Sequence, residues 1–280
     1  MHVALLGLGE AGRIYARDLL ARGVVVSGYD PRPDAAAAAP DGLRLAASDA
    51  AAARDADLVL SLVGAASAEA ALGSVLADIT GVFADLNTTS PAHKATLARS
   101  ADAAGVHFAD VAVLAPLPRD GIGTPLLVSG TGAEAAAALL DRVGAPIEQA
   151  GPQAGTAAGL KLLRSVFMKG LAGLVFEGLT AAERTGRPGA VAWLRGQIAA
   201  ELGPDGDALV ARLIAGTRTH AARRAAEADD VARYLGELGS PVWMTEGTRR
   251  WLQEIAAHPE LADSLLTDRA DHGTVDHPAP

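Results

Sequence analysis

The chain has 280 residues, enough for two domains with separate cores, and half of its residues are hydrophobic. A formal net charge of −9 argues against nucleic acid as a partner, and the lack of cysteine excludes disulfides, thiolate metal sites and a cysteine nucleophile. No apolar run reaches the ~18 residues of a membrane span, so a soluble, cytoplasmic protein with no membrane partner is expected.

Residues 3–6 read as a buried parallel strand and 13–21 as an amphipathic helix, and between them stands Gly7-Leu-Gly-Glu-Ala-Gly12. The first glycine permits a tight strand-to-helix turn, the second lets the backbone approach a pyrophosphate, and the third lets helix pack on strand. A dinucleotide site is expected there, built from Gly7, Leu8, Gly9, Glu10, Ala11 and Gly12. The glycine turn starts at residue 7, so no leader peptide is expected ahead of it. A second strand, 24–29, ends at Asp30, which lies 18 residues after Gly12. An acid at that place accepts hydrogen bonds from the adenosine ribose and repels a 2′-phosphate, which favours NAD. Arg32 pulls the other way, since it can pair with that phosphate, so NADP stays possible.

Further strands are expected at 58–63, 82–86, 107–113 and 126–129, with helical patterns such as 67–79 and 91–104 between them. That alternation predicts a Rossmann-type, doubly wound α/β sheet over residues 1–150. Beyond Gly151 the strand signal stops. Helices are expected at 154–185, 190–201, 205–214, 217–238 and 245–257, punctuated by Gly186, Pro188, Gly203, Pro204, Gly239 and Pro241. Residues 151–270 are thus expected to form an all-α substrate and dimerisation domain, joined by the long helix from 154, and 271–280 a disordered tail. That helix is apolar nearly all round, which predicts a homodimer through the helical half.

Of 24 basic residues 21 are Arg and three are Lys: Lys94, Lys161 and Lys169. In so Arg-rich a chain a Lys is a candidate for work Arg cannot do, such as releasing a proton. On a helix, Lys161 and Ser165 share one face, flanked by Arg164 and Lys169, a cationic strip in an apolar surround. His220, Arg223, Arg224 and Glu227 fall on successive turns, either as a solvated face with an i,i+4 pair of Arg223 to Glu227 or as groups closing over an anion. The remaining histidines have no metal-ligand spacing, and no metal is expected.

The glycine motif resembles the opening of the β-hydroxyacid dehydrogenases, the group related to 3-hydroxyisobutyrate and 6-phosphogluconate dehydrogenases. Asp85-Leu-Asn-Thr-Thr-Ser-Pro91 resembles that family's Asp-x-Ser-Thr-x-x-Pro segment, with Asn87 in place of Ser. Leu62-Val63-Gly64 sits where members line the cofactor groove, and Gly155-Thr-Ala-Ala-Gly-Leu-Lys161 resembles the turn that carries the catalytic lysine. The chain departs from the pattern in two places. Arg164 and Ser165 stand where an Asn usually follows the lysine, and 113–123 replaces the usual Ser-Gly-Gly substrate segment, which points to a less characterised branch with its own C-terminal domain.

The resemblance implies an NAD(P)-dependent oxidoreductase acting in a cleft between the domains. Hydride would pass between nicotinamide and a small, anionic hydroxy or keto acid, with Lys161 as general acid-base. Thr88 and Thr89 would hydrogen-bond the substrate or the nicotinamide ribose, and Arg164, Ser165, Lys169 and His220 would be substrate contacts. The alternatives are an imine reductase, against which Lys161 argues, and a non-catalytic dinucleotide-sensing protein.

Overall fold

The computed structural model describes residues 1–267, in two compact units, Met1–Lys161 and the residues from Leu162 onward. The first unit contains eight strands: β1 (His2–Leu6), β2 (Val25–Tyr29), β3 (Arg44–Leu45), β4 (Leu58–Ser61), β5 (Val82–Asp85), β6 (Phe108–Val113), β7 (Leu126–Ser129) and β8 (Ile147–Gln149). They form one sheet in the order β3-β2-β1-β4-β5-β6-β7-β8. All pairings are parallel except β6 with β7. Its helices are α1 (Glu10–Leu20), α2 (Pro33–Ala37), α3 (Asp49–Ala53), α4 (Ala68–Val75), α5 (Pro91–Ala103), α6 (Leu117–Asp120) and α7 (Ala133–Asp141).

Successive residues of β1 alternate between two cores, as the two-residue strand period requires. Val3 and Leu5 join Tyr15 and Leu19 of α1 and Leu140 of α7 on one face. Ala4 and Leu6 join Ala52 of α3, Leu72 and Val75 of α4 and Leu97 of α5 on the other. Helices therefore cover both faces, which is why the strands read as unbroken apolar runs. This is the doubly wound Rossmann-type sheet expected from the alternation.

Two features of the sheet differ from expectation. Strands β3 and β8 were not foreseen, because two and three residues are too short to show a period. Strand β7 runs antiparallel because the connection from β6 holds only the four-residue α6 and one 3-10 turn, too little for a crossover helix.

Helix α8 (Thr156–Arg184) begins in the first unit and continues into the second. It is followed by α9 (Ala190–Glu201), α10 (Gly206–Glu237), α11 (Trp243–Ala257) and α12 (Glu260–Thr267). Val175, Phe176 and Leu179 of α8 pack with Val210, Leu213 and Ile214 of α10, Ile255 of α11 and Leu265 of α12. The two helices expected over 205–238 are one helix with a bend at His220, where φ is −125° and ψ 20°. Helix α12 was not foreseen, and the tail expected to be disordered lies outside the described residues. Among the described residues no helix is long and apolar enough to cross a membrane.

Candidate functional site

The glycine turn is shaped by close backbone approaches. A Cβ on Gly12 would stand 2.0 Å from the Gly7 carbonyl oxygen, and one on Gly7, whose φ is +95°, would stand 2.7 Å from the carbonyl oxygen of Leu62. Leu62 and Val63, at the end of β4, thus lie directly against the turn. Gly9 is different: its nearest neighbour would be an Arg32 guanidinium nitrogen at 3.6 Å, so the ground above it is open. Gly9 is also the N-cap of α1 and offers no side-chain cap. The first amide bonded back into the turn is that of Arg13, to the Gly9 carbonyl, at 3.0 Å. The Gly7 and Leu8 amides are bonded to the Tyr29 carbonyl and to Asp30, while those of Gly9, Glu10, Ala11 and Gly12 face outward with the positive end of the helix behind them. This cradle, closed to side chains at Gly7 and Gly12 and open over Gly9, fits a dinucleotide pyrophosphate.

Asp30 closes β2 and is 8% exposed. Its carboxylate accepts the Leu8 amide at 2.9 Å, the Arg32 amide at 3.0 Å and two bonds from the Arg32 guanidinium at 3.1 and 3.0 Å. Burial pushes the Asp30 pKa up, but the Arg32 and Leu8 hydrogen bonds outweigh it and hold the carboxyl below its ordinary value. The two residues read from the sequence as rivals are one ion pair. Pro31 and Pro33 flank Arg32.

The 85–91 segment carries a buried network. Lys94 of α5, 1% exposed, donates from Nζ to the Asp85 carbonyl at 2.7 Å, and its ammonium stands 2.8 Å from Asp85 Oδ2 and 3.2 Å from Asp110 Oδ1. Asn87 Nδ2 donates to Asp85 Oδ1 and, at 3.0 Å, to Ser61 Oγ, while its Oδ1 accepts the Gly64 amide at 2.7 Å. Asn87 fits where a Ser would be too short to do all three. Asp110 Oδ2 accepts the Gly155 and Ala158 amides at 3.1 and 3.0 Å and the Ser129 hydroxyl at 3.2 Å. Ser129 Oγ in turn accepts the Ala157 amide at 3.0 Å, so an acid and a hydroxyl cap the start of α8.

One turn further along α8, Lys161 Nζ donates to Thr88 Oγ1 at 3.0 Å. The two residues singled out from separate motifs therefore meet, just beyond the carboxyl end of β5, on the side of the sheet where open α/β domains bind ligands. Thr89 Oγ1, next to Thr88, and His93 Nε2, in the first turn of α5, are buried atoms with no hydrogen-bond partner among the described residues, the kind of group that a bound ligand or water can satisfy.

In the second unit, Ser165 and Lys169 line a small cavity with Thr245 and Thr248, and the buried Thr245 hydroxyl has no hydrogen-bond partner among the described residues. Lys169 Nζ stands 3.2 Å from Glu227 Oε2, and the expected i,i+4 pair forms, with Arg223 Nη1 2.9 Å from Glu227 Oε1. Burial lowers the Lys169 pKa despite Glu227. Arg224, half-buried, donates to Thr217 Oγ1 at 2.6 Å, and burial lowers its pKa as well. Arg164 and His220 are exposed. Among the described residues no group of His, Asp and Glu could hold a metal ion. Lys94 and Asp110 were missed as partners of the site. Their signal was present: a rare Lys, and an acid inside an otherwise apolar strand.

A glycine cradle at the carboxyl ends of parallel strands, with an acid closing the second, defines a dinucleotide-binding α/β domain. Residues 2–151 match the family model described as the NAD binding domain of 6-phosphogluconate dehydrogenase, and the chain belongs to that family. Residues 186–255 match a domain of unknown function (DUF1932), so the branch does carry its own C-terminal domain. A curated relative, the uncharacterized 28.5 kDa protein in the 7S RNA 5′ region of Methanothermus fervidus, is 29% identical over 133 residues, 48% of this chain. The alignment spans about half of that relative, 51% of its length. A solved conserved protein of unknown function, described as structurally similar to 3-hydroxyacid dehydrogenases, is 26% identical with a TM-score of 0.74, over 94% of this chain and 99% of that one. The Mycobacterium tuberculosis 3-hydroxyisobutyrate dehydrogenase has a TM-score of 0.79 at 20% identity, over 96% and 99% of the two chains, and so shares the fold.

Proposed function

We propose that the chain is an NAD(P)-dependent oxidoreductase that moves a hydride between nicotinamide and a small hydroxy or keto acid, with Lys161 as general acid-base. The observation that carries this reading is the Lys161 to Thr88 hydrogen bond beyond the carboxyl end of β5. Bound nicotinamide supplies the hydride acceptor or donor. In the oxidative direction, the Lys161 amine takes the substrate hydroxyl proton at Nζ as the C–H bond gives up its hydride, and in reduction the ammonium returns it. Thr88 Oγ1 orients that nitrogen, and the Thr89 hydroxyl is an available contact for substrate or ribose. A group placed this way contributes about 10²- to 10⁴-fold in rate.

An anionic substrate is supported by charge in the second unit. Lys169, Arg223 and Arg224 cluster around one carboxylate, Glu227, which leaves positive charge in excess within a chain of net charge −9. We assign Ser165, Lys169, Arg164 and His220 as its substrate contacts. A homodimer through α8 is part of the same reading, supported by the exposure of Leu163, Phe167 and Leu174 along one side of that helix.

The test is reduced-cofactor formation across a panel of hydroxyacids, run beside reduction of cyclic imines. Lys161→Ala should lower kcat by about 10²- to 10⁴-fold. Lys161→Arg should fail almost as badly, because a guanidinium stays protonated. Turnover of imines alone, or cofactor binding with no turnover on either panel, would replace the hydroxyacid reading.

A further inference from the structure

We propose that Lys94 is the positioning residue that holds Lys161 at Thr88, an inference that rests on the reading of Lys161 as the acid-base group. Lys94 donates from Nζ to the Asp85 carbonyl, and its ammonium lies within ion-pair distance of one carboxylate oxygen of Asp85 and one of Asp110, on two neighbouring strands. From that one nitrogen two chains of contacts run outward. The first goes through Asp85 to Asn87, and from Asn87 to the Gly64 amide and the Ser61 hydroxyl. Asn87 is the residue before Thr88, so this branch fixes the loop that carries the acceptor of the Lys161 bond. The second goes through Asp110, whose other oxygen accepts the Gly155 amide just before α8 and the Ala158 amide in its first turn, with Ser129 accepting that of Ala157. Lys161 lies on the next turn, so this branch fixes the donor.

The start of α8 has little freedom otherwise. Gly155, with φ +96°, passes so close to the start of α5 that a Cβ would lie 2.6 Å from the Pro91 carbonyl oxygen. Lys94 sits one turn into that same helix. A planar guanidinium could not serve two strands and a backbone carbonyl from one buried point, which accounts for a Lys here in a chain that elsewhere prefers Arg. The Lys94 side chain is 1% exposed, and its ammonium contacts Asp85 and Asp110. Its effect is to set the distance between Thr88 Oγ1 and Lys161 Nζ.

The test uses the rarity of amines in this chain. Only Met1, Lys94, Lys161 and Lys169 carry one, so the rate of Lys161 modification by acetic anhydride can be read by peptide mass spectrometry without knowing the substrate. The variant is Lys94→Met with Asp110→Asn, which keeps the net charge of the triad and leaves an amide oxygen to accept from Gly155 and Ala158. Folding is checked by circular dichroism and cofactor binding by titration with NADH. Lys161 labelling should rise by a factor of about 2–12, what the loss of one hydrogen bond allows, and Thr88→Val should give the same rise. NADH affinity should stay within about twofold.

Should the double variant fail to fold, Asp110→Asn alone loosens one branch and should raise the labelling in the same direction. Unchanged Lys161 labelling in a folded variant, or a loss of NADH affinity as large as the change in labelling, overturns the proposal. If instead Lys161→Ala turns over like the parent, the acid-base reading fails while the labelling result still decides whether Lys94 positions Lys161.

Discussion

The three glycines of the first turn occupy three different environments, and substitution should separate them. Gly12→Ala drives a methyl into the Gly7 carbonyl, so the turn must open and the domain should lose stability by more than an ordinary helix Gly→Ala change would predict. Gly9→Ala meets only the far end of a flexible arginine, at an ordinary φ of −66°, so the fold should melt at the parent temperature. That methyl stands where a pyrophosphate must approach, and NADH affinity should fall at least about tenfold, near 1.4 kcal/mol. Differential scanning fluorimetry with and without NADH reads both variants. An unstable Gly9→Ala, or a Gly12→Ala that melts like the parent, would break the assignment. Lys169 makes a second residue-scale case. Its folded pKa is lowered, mainly by burial, so between that value and the ordinary lysine value of about 10.4 the unfolded chain binds more protons. Its contribution to stability therefore rises with pH through that window. Lys169→Met removes the buried charge while Glu227 keeps Arg223, so at neutral pH the variant should melt at or above the parent temperature. The difference between variant and parent should shrink as pH rises toward 10. A variant that melts below the parent at pH 7 would show that the Glu227 pair outweighs the desolvation of Lys169.

At the scale of elements, the start of α8 depends on one carboxylate. Asp110→Ala orphans two amides at the start of α8 and removes one of a buried cation's two carboxylates, and such losses amount to about 3–5 kcal/mol. Urea unfolding should show that drop, and Asp110→Asn should recover part of it by keeping an acceptor for the amides. A loss under about 1 kcal/mol would mean that water replaces the cap. The sequence showed where α8 starts, because an apolar run follows a glycine, but not what holds it. Asp110 is 45 residues from Gly155, and nothing local links them. The same contrast runs through the fold. Strands with three or more buried apolar residues, such as β1 and β4, were legible because both faces are covered. Strand β8, apolar only at Ile147, was not. The sequence suggested separate helices at 205–214 and 217–238, with Gly216 in the gap between them. The helix instead passes through it, with the Arg224 guanidinium lying 3.0 Å from where a Cβ would be, and bends at His220. Of the candidate site, the glycine turn and Lys161 stand out in the sequence because each sits in a local motif. The Asp30 to Arg32 pair was visible as two residues but not as one bond, since side-chain direction is set by the packing around it.

The exposed side of α8 is the main feature that the single chain leaves unexplained. Phe167 is 67% exposed and Leu174 57%, with Leu163 one turn before Phe167 and Trp193 of α9 also open. These positions repeat at helical spacing, so they form a stripe and not scattered exceptions. Beside the stripe, Leu171, Leu174, Val175, Ile198 and Leu202 line a groove of about 330 Å³ between α8 and α9. Under the homodimer reading this stripe would be the interface, used by both copies. Multi-angle light scattering should therefore give twice the chain mass of 28.3 kDa at micromolar concentration. Phe167→Glu with Leu174→Glu should give a monomer. Both positions are solvent-facing in the chain by itself, so the double variant should keep its helical circular dichroism and its NADH affinity. A parent that runs as a monomer would remove the dimer, and a double variant that stays dimeric would move the interface off α8. A variant that loses NADH affinity along with its dimer would show that the dinucleotide domain depends on the second copy, a dependence that its complete sheet and two closed cores do not call for.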